Sequence, residues 1–256
     1  GDLDLPSVSA SENPADADTC DVVVFTVKMQ DADAAAQAIR PIVGPDTVVV
    51  PYLNGVEASD ILVRQLGERP VAGGSVYVSA VIDRPGVIRQ TGTIQRFVHG
   101  EIDGRLSNRM QAWHEALENV GIESILTEDI RREVWRKFVA LVSFSGLTAL
   151  TRKPIGNVRE HKHVNAMLIA AVNEAAAVAR AHDAGLPDDI VDLHLALIGS
   201  MPWEMKSSMQ EDLERGKPLE LPWLSGAVVR LGEAHGIDTP THRFIATALA
   251  LHQDGR

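Results

Sequence analysis

Residues 21–27, DVVVFTV, are β-branched or aromatic at every position after Asp21, and five of the seven are apolar. Such a run is typical of a strand buried on both faces, as in a parallel sheet. The sequence that follows alternates: residues 32–39 have helical period, 47–51 (TVVVP) predict a second buried strand, and 58–66 predict a second helix. This alternation indicates βαβ units and therefore an α/β fold class for the first half of the chain.

From Val71 onward the pattern changes to short strands separated by turn residues, which predicts an antiparallel extension of the sheet. A helix closed by Gly121 and a last strand follow, because glycine tolerates the positive φ at which helices often end. The predicted elements are strands at 73–79, 87–88 and 96–99, a helix over 106–120, and a strand over 122–126.

Beyond Thr127 nearly every segment has helical period. In residues 164–178 the apolar side chains recur at i, i+3, i+4 and i+7, as on one buried helix face, and residues 224–231 repeat the pattern. We therefore predict two domains, an α/β domain over 1–126 and an all-α domain over 127–256.

Charge and composition exclude some classes of function. The chain has 256 residues and a formal net charge of -11, so a polyanion such as DNA would be repelled and a nucleic-acid partner is not expected. Cys20 is the only cysteine, which rules out an internal disulfide and fits a reducing cytoplasm. Apolar stretches such as 138–150 fall short of the ~20 residues of a membrane span, and no secretory signal is visible. We expect a cytoplasmic protein without a membrane partner.

Polar residues follow both buried strands of the α/β half. Lys28 comes at the carboxyl end of the first strand, where open α/β sheets bind ligands, although a solvated charge is an equally good interpretation. Asn54-Gly55 follows the second strand, and a turn alone would explain this pair. The shared edge of the sheet favours a functional interpretation of both.

Lys137 lies in the helical segment EVWRKFVAL, residues 133–141. One interpretation is an exposed i,i+4 pair with Glu133, worth about 0.2–0.5 kcal/mol. The other is a partly desolvated ammonium, whose lowered pKa would suit it to donate a proton near neutral pH.

A second group of candidates comes later in the chain. Ser207 and Ser208 could hold a ligand or cap a helix, because Ser208-x-x-Glu211 fits a capping box. Glu220 lies in the apolar run LELPW and could be a partly buried functional acid or an exposed residue of a turn. The nine histidines form no metal set: His161 and His163 lack spaced partners and are expected at the surface.

Taken together, these motifs resemble the ketopantoate reductase family in order and spacing. The residues that carry the resemblance are Val27-Lys28, Asn54-Gly55, Trp135-Arg-Lys137, Ser207-Ser-Met209, Glu220, Gly226 and the segment HGIDTP at 235–240. The resemblance implies a Rossmann-type domain followed by a helical substrate and dimerisation domain, with NADPH and a 2-oxo acid meeting in the cleft between them. It also implies a homodimer.

The resemblance further implies roles for single residues. Lys137 would donate the proton to the substrate carbonyl, Asn54 would bind substrate and approach the nicotinamide, and Ser208 would hold the carboxylate. Glu220 would face both the cofactor and the substrate hydroxyl. Lys28 and Ala80 match positions that contact the cofactor.

The sequence departs from the family pattern in two places. No G-x-G-x-x-G turn is present, so the dinucleotide-binding domain is expected to be incomplete by roughly a βαβ unit, ~30 residues or more. Where the family has asparagines that bind ketopantoate, the chain has Leu141, Ser145 and Ile155. Because aliphatic groups cannot replace amide donors, we expect a 2-oxo acid with a less polar tail.

Two alternatives remain open at the level of sequence. The chain could be another β-hydroxyacid-type or opine-type dehydrogenase, which also joins a cofactor domain to helices. It could also be a non-catalytic remnant that keeps a dimerising, helical half.

Overall fold

The structure, a computed structural model, describes residues 9–255. The strands are β1 (Cys20–Phe25), β2 (Val43–Pro51), β3 (Ala72–Arg84), β4 (Val87–Glu101) and β5 (Glu123–Leu126). The helices of this half are α1 (Ala32–Ala38), α2 (Ala58–Leu66) and α3 (Asn108–Asn119). The predicted alternation of strands and helices is therefore confirmed.

The strands combine parallel and antiparallel pairing. β1 runs parallel to β2, and a single parallel bridge between Val49 and Val71 links β2 to the start of β3. β3 and β4 form an antiparallel hairpin, and β4 is parallel to β5. The three short strands predicted after Val71 are thus two long ones, joined at Gly86 with φ +78°. A register shift between Val78 and Ala80 interrupts the hairpin.

β1 differs from its prediction. The strand was expected to be buried on both faces, yet only Phe25 is fully buried and Val24 is 43% exposed. The reason is that β1 pairs only with β2 in the described part of the chain, whereas Val48, Val49 and Val50 of β2 are 0% exposed.

The second half is helical, as predicted. Its helices are α4 (Ile130–Thr151), α5 (Ile155–Glu160), α6 (Lys162–Ala181), α7 (Ile190–Ser200), α8 (Ser208–Glu214), α9 (Ser225–Ala234) and α10 (Pro240–Leu249). The core is built around α4 and α6, where Phe138 and Leu147 pack among Leu168 and Val172. A 3-10 helix, Leu221–Trp223, precedes α9.

Helix α6 is long and apolar enough to cross a membrane, judged by length and composition alone. The expectation drawn from residues 138–150 missed this helix. Its side chains Leu168, Ala171, Val172 and Ala175 are buried in the core of the helical half. A core helix of this kind explains the composition without a bilayer.

The two halves meet along α4. This helix starts at Ile130, shortly after β5 ends at Leu126, and packs against β3. The loop between these residues contains the predicted division at Thr127. The ends of β1 and β2 thereby come to face the helical half.

Candidate active site

Two segments of the α/β half carry polar side chains to this junction. Lys28 follows β1 and precedes a short 3-10 helix, Met29–Asp31. Asn54 and Gly55 follow β2, and Gly55 has φ +92°, a conformation that glycine adopts without strain. The parallel pairing of β1 and β2 places both segments at one edge of the sheet, as the sequence predicts.

Glu220 joins these segments to the helical half. Its side chain is buried, 5% exposed, immediately before the 3-10 helix Leu221–Trp223. Its Oε2 accepts hydrogen bonds from Asn54 Nδ2 at 3.3 Å and from Lys28 Nζ at 3.4 Å. Its Oε1 accepts one from the Met29 backbone N–H at 3.4 Å. Both oxygens of this buried carboxylate therefore accept hydrogen bonds from the α/β half.

Lys137 completes the arrangement from α4. Its partly buried ammonium donates a hydrogen bond from Nζ to Asn54 Oδ1 at 3.1 Å, and Nζ lies 5.7 Å from the centre of the Tyr77 ring. Burial lowers the pKa of Lys137 from 10.5 to about 8, although the nearby charge of Glu220 acts in the opposite direction. An ammonium of this kind can give up a proton near neutral pH.

The pKa of Lys28 is shifted in the opposite direction to that of Lys137. Burial alone would lower its pKa, but the carboxylates of Glu220 and Asp212 outweigh this effect and raise the pKa of Lys28 above 10.5. Its Nζ lies 3.0 Å from Asp212 Oδ2 of α8. Lys28 therefore keeps its charge near neutral pH, whereas the lowered pKa of Lys137 lets it exchange a proton there.

We call Lys28, Asn54, Lys137, Asp212 and Glu220 the cleft cluster. In this cluster the amide of Asn54 bonds both Lys137 and Glu220, and Lys28 bonds Asp212. In the described residues, 9–255, no group of three or more His, Cys, Asp or Glu side chains could hold a metal ion. The lysine, amide and carboxylate side chains of the cluster are groups that can bind a polar ligand and transfer protons.

Comparisons with known proteins identify the family. A model described as "Ketopantoate reductase PanE/ApbA" matches residues 1–104, and the corresponding C-terminal model matches residues 129–253. A 2-dehydropantoate 2-reductase of Archaeoglobus fulgidus is 30% identical over 236 residues, 92% of this chain and 76% of the relative. The chain belongs to the ketopantoate reductase family.

Solved structures agree with the assignment. A PanE/ApbA family ketopantoate reductase from Ralstonia eutropha superposes with a TM-score of 0.87 at 31% identity, covering 96% of this chain and 80% of its own. A 2-dehydropantoate 2-reductase from Geobacter metallireducens gives 0.89 at 27% identity, covering 98% and 83%. The predicted fold, a Rossmann-type domain followed by a helical domain, is confirmed, and this family member is an oxidoreductase.

Two predicted site residues of this ketopantoate reductase family member lie outside the hydrogen bonds of the cleft cluster. Ser208 is exposed in the first turn of α8, and the capping residue is Ser207, which accepts from Gln210 N. Of the two serines predicted as possible caps, the capping box on Ser208 was wrong, because Ser208 is already the first residue of the helix and Ser207 precedes it as the cap. Ser207 is buried and also bonds Thr148 Oγ1 at 2.8 Å. Ala80 is exposed on β3, opposite Gln90.

The three positions that lack the family's asparagines differ in burial. Ile155 is 0% exposed and Ser145 is 1% exposed, so both belong to the core of the helical half. Leu141 is partly buried, four residues after Lys137 on α4. Side chains four residues apart share a helix face. Of the three positions without the family's asparagines, Leu141 is therefore the one that would contact a ligand bound at Lys137.

Sequence reasoning missed Asp212 and Tyr77. Asp212 lies in α8 between Ser208 and Glu220, in a run of acidic residues that looks like an ordinary solvated helix face. Tyr77 lies in a strand and is a common strand residue. No local signal distinguishes either one, because their partners, Lys28 and Lys137, come from other elements.

Proposed function

We propose that this chain carries out the NADPH-dependent reduction of a 2-oxo acid to the 2-hydroxy acid, with Lys137 as the proton donor. The proposal rests chiefly on the bond between Lys137 Nζ and Asn54 Oδ1, which places an ammonium with a pKa of about 8 beside the buried Glu220. Reduced nicotinamide, when bound, supplies the hydride.

The residues at the sheet edge fit the nicotinamide end of such a cofactor. Lys28 is a cation, 44% exposed, at the carboxyl end of β1, where open α/β sheets bind nucleotides. Ala80 is exposed and has only a methyl side chain, which allows a flat ring to approach the backbone. Glu220 and Asn54 would line the same side of the cleft.

Three members of the cleft cluster, together with Ser208, have chemical roles in this proposal. Lys137 stabilises the negative charge that develops on the carbonyl oxygen and then protonates it. Asn54 uses one amide proton on Glu220, so its second amide proton is available for a substrate oxygen. Glu220 keeps the amide oriented and contacts the substrate hydroxyl. Ser208 binds the substrate carboxylate.

The substrate we propose is a 2-oxo acid with a less polar tail than ketopantoate. Leu141 offers no hydrogen bond where the family pattern implies an amide. A hydroxyl of the substrate left without a partner at this point would cost about 1–3 kcal/mol. An aliphatic or aromatic tail avoids this cost and gains contact with Leu141.

The experiment is an assay of NADPH consumption by the full chain, with NADH in parallel, against ketopantoate and 2-oxo acids with aliphatic or aromatic tails. We expect Lys137→Ala to abolish turnover while leaving cofactor affinity unchanged. Lys153→Ala, which removes an exposed lysine shortly after α4, is the matched control and should turn over normally. Undiminished activity of Lys137→Ala would refute the assignment of the proton donor.

We also propose that the protein is a cytoplasmic homodimer, as the family resemblance implies. The single cysteine, Cys20, fits a reducing compartment.

A further inference from the structure

An ion pair joins the two halves beside the cleft cluster. Glu57 occupies the N-cap position of α2, three residues after Asn54, without a side-chain capping hydrogen bond. Arg230 of α9 donates two hydrogen bonds from Nη2 to its carboxylate, at 2.8 Å to Oε1 and 2.7 Å to Oε2. The two residues are 173 positions apart in the chain, so this contact exists only when the halves are docked.

The same guanidinium also contacts the turn that carries Glu220. Arg230 Nη1 donates to the carbonyl oxygen of Pro222 at 3.4 Å, two residues beyond Glu220. One side chain therefore holds both the segment with Asn54 and the segment with Glu220.

These two segments also touch through their backbones. A Cβ placed on Gly55 would come within 3.2 Å of the carbonyl oxygen of Trp223. A side chain at position 55 would crowd the carbonyl of Trp223, so the two segments pack closely at this point. Arg230, whose side chain is 52% exposed, bonds a residue next to each of these segments, Glu57 and Pro222.

We infer that Arg230 and Glu57 are positioning residues that set Asn54 against Lys137 and Glu220. The inference rests on the proposed function, since it concerns the geometry of the same site. Exposed ion pairs contribute little to stability. The position of a reacting group matters much more, since a displacement of about 1 Å can lower the rate by ~10²-fold. Loss of the pair should therefore reduce turnover and leave the stability almost unchanged.

The test uses steady-state kinetics of the full chain with its best 2-oxo acid. We expect Arg230→Met and Glu57→Gln each to lower kcat about tenfold, with a Tm within about 2 °C of the wild type. Arg243→Met is the matched control: it removes a similar exposed ion pair, with Glu233, inside the helical half. Its kcat should equal that of the wild type.

Charge reversal separates positioning from a general disturbance. Arg230→Glu and Glu57→Arg should each lower kcat more than the neutral changes, because each places like charges together. The double variant restores the pair and should recover kcat to within about threefold of the wild type. A double variant no better than the single reversals would overturn the inference, as would a normal kcat in Arg230→Met.

Hydrogen exchange gives a readout that does not need turnover. In Arg230→Met the backbone amides of residues 53–57 should exchange faster, while those of α4 keep their protection. Faster exchange in the variant, without any reduction of 2-oxo acids by the wild type, would support the positioning by Arg230 and Glu57 and reject the proposed function. Normal wild-type turnover with unchanged exchange in the variant would reject the positioning by Arg230 and Glu57 and leave the proposed function standing.

Discussion

The two lysines of the cleft cluster show how far the environment alters one type of side chain. Lys137 was weighed as an i,i+4 partner of Glu133, but Glu133 pairs with Arg136 at 3.4 Å. Lys137 instead bonds Asn54 on the other half of the molecule. Its ammonium loses water without gaining a direct carboxylate contact, whereas Lys28 gains both Asp212 and Glu220.

The pH dependence of turnover follows from this difference. Lys137 must be protonated to act as the donor, so kcat should fall as the pH rises through about 8. The raised pKa of Lys28 keeps that residue charged over this range, so Lys28 should not cause a second change in kcat with pH. The measurement is kcat against pH under saturating substrate. A rate that stays constant well above pH 8 would contradict the role of Lys137.

Burial of Lys137 should also lower the stability of the protein. The folded-state pKa, about 8, lies below the unfolded value of 10.5, so folding is opposed below pH 8 and the penalty disappears as the pH rises to 10.5. A shift of this size corresponds to roughly 3 kcal/mol. Lys137→Met also loses the bond to Asn54, and we therefore expect it to be more stable by about 2 kcal/mol at pH 7.

Urea denaturation at several pH values measures this effect. The advantage of Lys137→Met should shrink toward pH 10.5. Lys153→Met, at an exposed position, provides the control and should be neutral at every pH. A loss of stability in Lys137→Met at pH 7 would show that the ammonium is not penalised by burial.

At the scale of elements, α8 illustrates how two adjacent serines take different roles. Ser207 accepts from Gln210 N at 3.1 Å and lies 2.8 Å from Thr148 Oγ1 of α4, so it both caps α8 and ties it to the core. Ser208 begins the helix and is exposed. The helix in turn carries Asp212 to Lys28.

Alanine substitutions should separate these roles. Ser207→Ala removes a cap and a buried partner, and should lower the free energy of unfolding by about 1–3 kcal/mol. Ser208→Ala should change it by less than about 0.5 kcal/mol, but should raise the KM for the 2-oxo acid if Ser208 binds the carboxylate. Thermal unfolding and steady-state kinetics measure the two effects. An unchanged KM in Ser208→Ala would remove this residue from the proposed site.

At the scale of the whole molecule, the cleft cluster exists because the sheet edge docks on the helical half. Asn54 lies 83 residues from Lys137, and Lys28 lies 192 residues from Glu220. Two more contacts between the halves, Lys28–Asp212 and Glu57–Arg230, lie beside the same cleft. The site is thus a property of the docked pair of domains.

The oligomeric state of the protein is also a property of the whole molecule. The homodimer proposed above predicts a species of about twice 27.7 kDa in sedimentation equilibrium. Lowering the protein concentration should shift the distribution toward monomer without a change in secondary structure. A single species of monomer mass at micromolar concentration would rule the dimer out.

The sequence by itself determined the order of the elements, the α/β and helical halves, and the residues Lys28, Asn54, Lys137 and Glu220 as candidates. These features depend on residues close together in the chain, whose periodicity and order can be recognised in the amino-acid sequence without a structure. The extent of β3 and β4 and the exposure of β1 were not predictable in this way, because strand pairing depends on distant partners.

Only the tertiary structure decided which candidates meet. It joined Lys137, Asn54 and Glu220 and added Asp212 through Lys28. It also reassigned the cap of α8 to Ser207 and placed Ser145 and Ile155 in the core. The physical reason is that hydrogen bonds and desolvation act over a few ångströms in space, and the docking of the two halves sets those distances for residues far apart in the chain.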